Sequence, residues 1–119
     1  MRHLEHFSKE ASPDAMLEAI RRDGAIIVDS VLEEDTLTAL RRETDPYMNA
    51  SDNGMDEFTG TLTTRTGGLV MRSATCRELI QNELILALCD GFLLPNCERY
   101  QLHLTQIIRL RPGQGAQPI

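Results

Sequence analysis

From Glu98 to Arg111 the chain alternates in polarity: Leu102, Leu104, Ile108 and Leu110 are interleaved with His103, Thr105, Ile107, Arg109 and Arg111, with Gln106 breaking the apolar set. A period of two sends the two sets to opposite faces of an extended strand. The pattern predicts one long strand over residues 98–111, its apolar set buried in a sheet sandwich. The polar face meets either solvent or the inside of a ligand-holding β-structure, where Arg and hydroxyl groups bind carboxylates. Pro112-Gly113-Gln114-Gly115 ends the strand in a loop. A long buried strand needs partners, because unpaired backbone groups in a sheet are costly. The preceding sequence offers few, and no packed element is expected after the loop, so the architecture reads as incomplete.

Upstream, Ser12-Pro13-Asp14 followed by Met16, Leu17 and Ile20 predicts a helix with Ser12 at its N-cap, Pro13 at its first position and Gly24 as its stop. Ala25 to Val28 is a short β-branched run, read as a buried strand. Ser30 and Glu33 have capping-box spacing, and Leu37 and Leu40 continue a helical stripe that Asp45-Pro46 is expected to end. Residues 49–60 are polar and glycine-containing, hence a loop. Thr61 to Met71 suits either a hairpin or a strand with a bulge at Gly67-Gly68. Ser73 caps a helical turn, and residues 78–94 are helical with a break at Asn82 and a stop at Pro95. The organisation expected is a single incomplete domain over residues 1–119: a helical and strand layer at 12–48, the loop at 49–60, strands and helices at 61–95, and the strand at 98–111.

A formal charge of −6 and a pI near 5.0 argue against a nucleic-acid surface, and the twelve basic residues are scattered. Apolar runs are too short to span a bilayer and the first residues are polar, which leads to the expectation of a cytoplasmic protein. Cys76, Cys89 and Cys97 are an odd set with no CxxC pair, so reduced thiols are expected. No dinucleotide fingerprint, P-loop, zinc-protease helix or nucleophile elbow is present in the sequence. His3-x-Glu5 with His103 formally supplies the two histidines and one carboxylate of a non-haem iron site, but the reading adopted is a solvated tail and a polar strand position. Arg65, Arg72, Arg109 and Arg111 are candidate anion-binding groups.

Three segments carry a resemblance. Arg22 to Leu32 (RDGAIIVDSVL), residues 64–81 (TRTGGLVMRSATCRELIQ) and Gln101 to Ile119 (QLHLTQIIRLRPGQGAQPI) are similar to stretches of the phytanoyl-CoA dioxygenase family. The resemblance implies an α+β fold, the N-terminal part of a double-stranded β-helix (jelly roll) with helices packed on one side. It implies Fe(II), 2-oxoglutarate and O₂ chemistry that hydroxylates a small organic substrate. In the family an H-x-D pair and a later His hold the metal, and a further Arg grips the co-substrate. Those positions lie beyond this sequence, so the chain alone is expected to bind neither Fe(II) nor 2-oxoglutarate and to be inactive. What carries over is cofactor-facing Thr105 and Arg109 on the final strand, with Ile107 on the same face. The alternative reading is a small non-catalytic α/β interaction module that forms a homo-oligomer through residues 99–111. A third, a redox protein built on Cys97, requires a lowered thiol pKa.

Overall fold

The computed structural model describes residues 3–118. It contains helices and strands in mixed order and divides into two compact units, Met1–Asp35 with Glu78–Gln101 and Thr36–Arg77 with Leu102–Ile119. The first unit holds β1 (His6–Ser8), α1 (Pro13–Asp23), β2 (Ile27–Asp29) and α5 (Glu83–Leu93). The second holds most of α2 (Glu34–Ala50), β3 (Thr63–Gly67), α3 (Leu69–Arg72), the start of α4 (Ala74–Leu79) and β4 (Gln106–Leu110).

In the first unit α1 begins and ends where its sequence says. Ser12 is extended at the N-cap and Pro13 opens the helix, while Gly24 turns left-handed at φ 82° and its N–H reaches the Ile20 carbonyl at 2.8 Å. Met16, Leu17 and Ala19 are buried and form the core of this unit. Helix α5 packs on α1, and a Cβ at Gly91 would stand 2.4 Å from Cδ1 of Leu17. Asn82 caps α5 by accepting from the N–H groups of Leu84 and Ile85, which explains the break expected there.

Two expectations fail at the amino end. The polar segment before Ser12 is not a tail throughout: His6–Ser8 pairs in parallel with Ile27–Asp29. The run read as a buried strand has no fully buried residue: Ile26 and Val28 are half-buried and Ala25 and Ile27 exposed, because β2 has this one short partner. His6 closes the pair by a 3.1 Å contact from Nδ1 to the Asp29 carboxylate.

The second unit is built on the antiparallel pair β3–β4, in register from Thr63↔Leu110 to Gly67↔Gln106. Residue pairs directly opposite share a face, so Thr64, Thr66, Ile107 and Arg109 lie on one side and Thr63, Arg65, Ile108 and Leu110 on the other. The C-terminal half of α2 covers the first side: Ser51, just after it, hydrogen-bonds the Thr66 hydroxyl at 2.7 Å, and Asn49 accepts from Arg109 at 2.9 Å. The burial expected along the last strand is therefore inverted. Ile108 and Leu110 are 51% and 60% exposed, whereas Arg109 and Ile107 are partly covered. The strand is also shorter than residues 98–111, because β3 offers only five partners.

Helix α2 corrects a further expectation by starting at Glu34 rather than behind Ser30, and by running through Pro46 to Ala50. Ser30 sits at a positive φ of 56° in the turn before it. The missing proline N–H removes the helical donor to the Arg42 carbonyl, at a place where Arg42 and Pro46 are both exposed. Gly67-Gly68 makes neither a hairpin nor a bulge: the strand ends and Gly68, at φ 70°, starts α3. Ser73 caps the next helix as expected, its hydroxyl accepting from the Cys76 N–H at 2.9 Å.

Candidate functional site

The polar side of the second unit gathers the residues with chemical capacity. Arg109 is positioned by the pairing of Thr64 with it and by α2. Its guanidinium donates to Asn49 Oδ1 at 2.9 Å, approaches the Met48 sulfur at 3.8 Å and lies 3.5 Å from Asp45 Oδ1. The charged partner is Asp45, whose side chain is about half exposed. Thr105 stands just before β4 and is half-buried, its hydroxyl accepting from the Val70 N–H at 3.4 Å. Both residues therefore already hold backbone or helix partners within this unit.

On the opposite side of the same sheet the segment 51–60 folds against β3. Asn53 bridges to Thr64, the Gly54 N–H donates to the Thr63 carbonyl at 2.9 Å, and Arg65 donates to the Thr59 carbonyl. Asp56 closes the loop tip by accepting from the Thr59 hydroxyl and N–H, and these bonds hold its carboxyl below the ordinary carboxylate range. Residues 52–55, Thr59, Thr63 and Arg65 enclose a cleft of about 250 Å³. Its lining combines a carboxylate, an amide, a guanidinium and a thioether, a set suited to a small organic molecule carrying a polar group. Met55 and Phe58 stand out from the loop, 96% and 68% exposed.

The chain after β4 is bound to this loop. Gln114 Oε1 accepts from the Leu62 N–H at 2.7 Å and the Thr63 hydroxyl at 3.1 Å, and Gln117 donates to the Phe58 carbonyl at 3.0 Å. Sequence reasoning missed these anchors. The glutamines flanking Gly115 were the available signal, but nothing local says where a glutamine side chain will reach. It also missed Glu43, whose carboxylate accepts from the Ser73 hydroxyl at 2.6 Å and from the N–H and hydroxyl of Thr75 at 3.0 and 3.1 Å. These donors, Ser73 foremost, hold Glu43 below its usual carboxylate range.

No group of three or more His, Cys, Asp or Glu side chains suited to a metal ion occurs among the described residues. Of the formal iron set, Glu5 is paired with Arg22 at 2.6 Å, and His3 and His103 are exposed. The side chains in hand thus do not fit a two-histidine, one-carboxylate iron site. Cys76 is buried, and that burial raises its thiol pKa, while Cys97 is exposed with its Sγ 3.2 Å from the Leu93 carbonyl. Among the described residues no helix is long and apolar enough to cross a membrane.

The family model for phytanoyl-CoA dioxygenase (PhyH) matches residues 20–118, which takes in α1 from Ile20 through β4 and the Gln114–Gln117 anchors. The chain belongs to the phytanoyl-CoA dioxygenase family. Among curated proteins it is 34% identical to dioxygenase FrzG of Cladobotryum sp, over 98% of this chain and 43% of that protein. It is 30% identical to dioxygenase ALT11 of Alternaria alternata, over 92% of this chain and 41% of that protein. With the multifunctional dioxygenase ausE of Penicillium brasilianum it shares 27% identity, over 96% of the chain and 40% of the relative. The chain spans about two fifths of the length of the curated relatives it matches.

Proposed function

We propose that this chain is the amino-terminal scaffold of an Fe(II)- and 2-oxoglutarate-dependent dioxygenase that hydroxylates a small organic substrate, with the jelly roll completed by residues outside this sequence. The observation that carries the reading is the family match over residues 20–118, together with relatives that are themselves named dioxygenases. Iron would supply the activation of O₂, and its ligands would come from residues outside this sequence, as the family resemblance implies.

The contribution of this chain is positioning. The second unit carries seven basic and five acidic side chains, a formal charge of +2, against −8 for the first. An anionic co-substrate is drawn to the positive unit. Arg109 and Thr105 would be its contacts there. Arg109 would receive a carboxylate by exchanging Asp45, its most distant oxygen partner, while Asn49 keeps the guanidinium oriented.

The test is an anaerobic Fe(II) titration with 2-oxoglutarate, followed by the weak visible charge-transfer band. It is run on the 119-residue chain and on a form extended to the length of its relatives. A band in the extended form alone is the expected result. Its absence from both would remove the iron and 2-oxoglutarate chemistry, and a band of equal strength in the short chain would overturn the placement of the ligands. In the extended form Arg109→Ala is expected to weaken 2-oxoglutarate binding about tenfold or more, the scale of a lost charge-assisted hydrogen bond.

A further inference from the structure

Where the segment 51–60 meets β3, two opposite charges stand side by side without joining. Asn53 bridges to Thr64 in antiparallel sense, and the Gly54 N–H donates to the Thr63 carbonyl at 2.9 Å. Carried one residue further, that register sets Asp52 opposite Arg65, and residues directly opposite share a face. Opposite charges so placed attract one another across the strands. Here the Arg65 guanidinium is turned to the Thr59 carbonyl instead, and among the described residues no ion pair joins it to Asp52. Both side chains, with Asn53, Met55 and Thr63, line the cleft of about 250 Å³. The Thr63 hydroxyl is already committed to Gln114 at 3.1 Å. What the cleft offers a ligand is therefore the Asp52 carboxylate, the Asn53 amide and the guanidinium N–H groups that Thr59 does not use.

We propose that this cleft binds a small zwitterion of the amino-acid type, its carboxylate on Arg65 and Asn53 and its ammonium on Asp52. The charge arrangement selects that class. A simple anion drawn to Arg65 would be set against the Asp52 carboxylate, and a simple cation drawn to Asp52 would be set against the guanidinium. A molecule carrying both charges meets two attractive partners and no repulsive one. Arg65 suits the carboxylate end because its planar fork receives two oxygens at once, and the bond to Thr59 orients that fork in advance. The cleft is smaller than the roughly 300 Å³ at which pockets for drug-sized molecules begin, so the ligand is small. Met55, 96% exposed, supplies an adaptable apolar side chain for the ligand's hydrocarbon part. Arg65 lies on the face of the β3–β4 sheet opposite Arg109, so the site is separate from the co-substrate contact proposed above and does not depend on iron.

Metal-free protein, in the form extended to the length of its relatives, is titrated with three probes while the backbone amide shifts of residues 52–65 are followed. The probes are L-leucine, 4-methylpentanoate, which lacks the ammonium, and 3-methylbutylamine, which lacks the carboxylate. Leucine is expected to bind about tenfold or more tightly than either half, the scale of one lost charge-assisted contact. Arg65→Gln should weaken leucine about tenfold and leave the amine as it was. Asp52→Asn should erase the preference for leucine over 4-methylpentanoate, because it removes an attraction for one and a repulsion for the other. A misfolded variant would lose all three probes together, whereas these changes of preference are selective. The unsubstituted protein decides the matter by itself. Equal affinity for leucine and 4-methylpentanoate would make this a plain anion site and overturn the proposal. So would the absence of any shift over residues 52–65 at about 10 mM leucine, an affinity too weak for a built site, or shifts confined to Thr105 and Arg109. Failure to bind Fe(II) or 2-oxoglutarate would leave the result standing, so the two readings fail separately.

Discussion

The two units solve the problem of a core with different materials. In the first, Met16, Leu17 and Ala19 are buried by helix packing, and the gain is transfer of hydrocarbon out of water. In the second, the buried set is largely hydroxyl-bearing: Thr44, Thr63, Thr64, Thr66, Ser73 and Thr75, with Leu69 and Cys76. Burying a hydroxyl is costly unless it is bonded, and no buried side-chain nitrogen or oxygen among the described residues lacks a partner. Thr44 bonds back to the Leu40 carbonyl, Thr66 to Ser51, Thr63 to Gln114, and Ser73 and Thr75 to Glu43. A hydrocarbon core tolerates small shifts of its atoms; a hydrogen-bonded one depends on distances near 3 Å. The second unit should therefore be the less forgiving of a displaced backbone, and the first the less forgiving of lost volume.

Gly54→Ala tests this most severely. A Cβ there would lie 2.5 and 2.6 Å from the Thr59 and Gly60 carbonyl oxygens, and those atoms are backbone. The expected loss is about 3 kcal/mol, in the range of overpacking with broken backbone bonds, read by denaturant unfolding, with the bridge at Asn53 and Thr64 losing exchange protection. A loss under about 1 kcal/mol would mean that the loop yields freely. Met16→Ala comes next. Its side chain is wholly buried, and cavity formation should cost about 2 to 3 kcal/mol with faster exchange confined to α1 and α5. Equal loss of protection in β3 and β4 would break the distinction between the two cores.

Thr66→Val keeps the volume and removes the hydroxyl that meets Ser51 at 2.7 Å, for an expected loss of about 1 kcal/mol. A neutral result would show that the hydroxyl bonds are replaceable by packing. The smallest effect at neutral pH belongs to Glu43→Gln, because an amide oxygen still accepts from Ser73 and Thr75. Its signature is the pH profile. The Glu43 carboxyl titrates below its ordinary value in the folded chain, so its contribution is present above the unfolded pKa near about 4.3 and is lost as pH falls through the lower folded value. The wild type should lose part of its thermal stability on acidification through that window, and the glutamine variant should show less of this dependence. Identical acid profiles would dismiss the role given to Glu43.

Much of the local structure was legible in the residues themselves. Ser12, Pro13 and Gly24 delimit α1, Asn82 opens α5, and Ser73 caps α4, because caps and stops act within a few residues of where they stand. Family membership was legible too, in three separated segments that, save for Ile119, lie within the match over residues 20–118. Pairing was not legible. The strand His6–Ser8 exists because Ile27–Asp29 lies beside it, and nothing in a short polar stretch announces a partner twenty residues away. The layout of the candidate site was equally hidden, since the Gln114, Gln117 and Glu43 anchors cross 30 to 59 positions of sequence.

The last strand shows the division most clearly. Its alternation established by itself that Ile107 and Arg109 would face one way and Ile108 and Leu110 the other, since successive side chains of a strand cannot do otherwise. Which of those faces would be covered was decided only by tertiary structure. Helix α2 lies on the side of Arg109, where Asn49, Met48 and Asp45 receive the guanidinium, and Ile108 and Leu110 on the other side are left toward solvent. Periodicity separates two faces but carries no information about what packs on either, because burial is a property of the neighbours as much as of the strand.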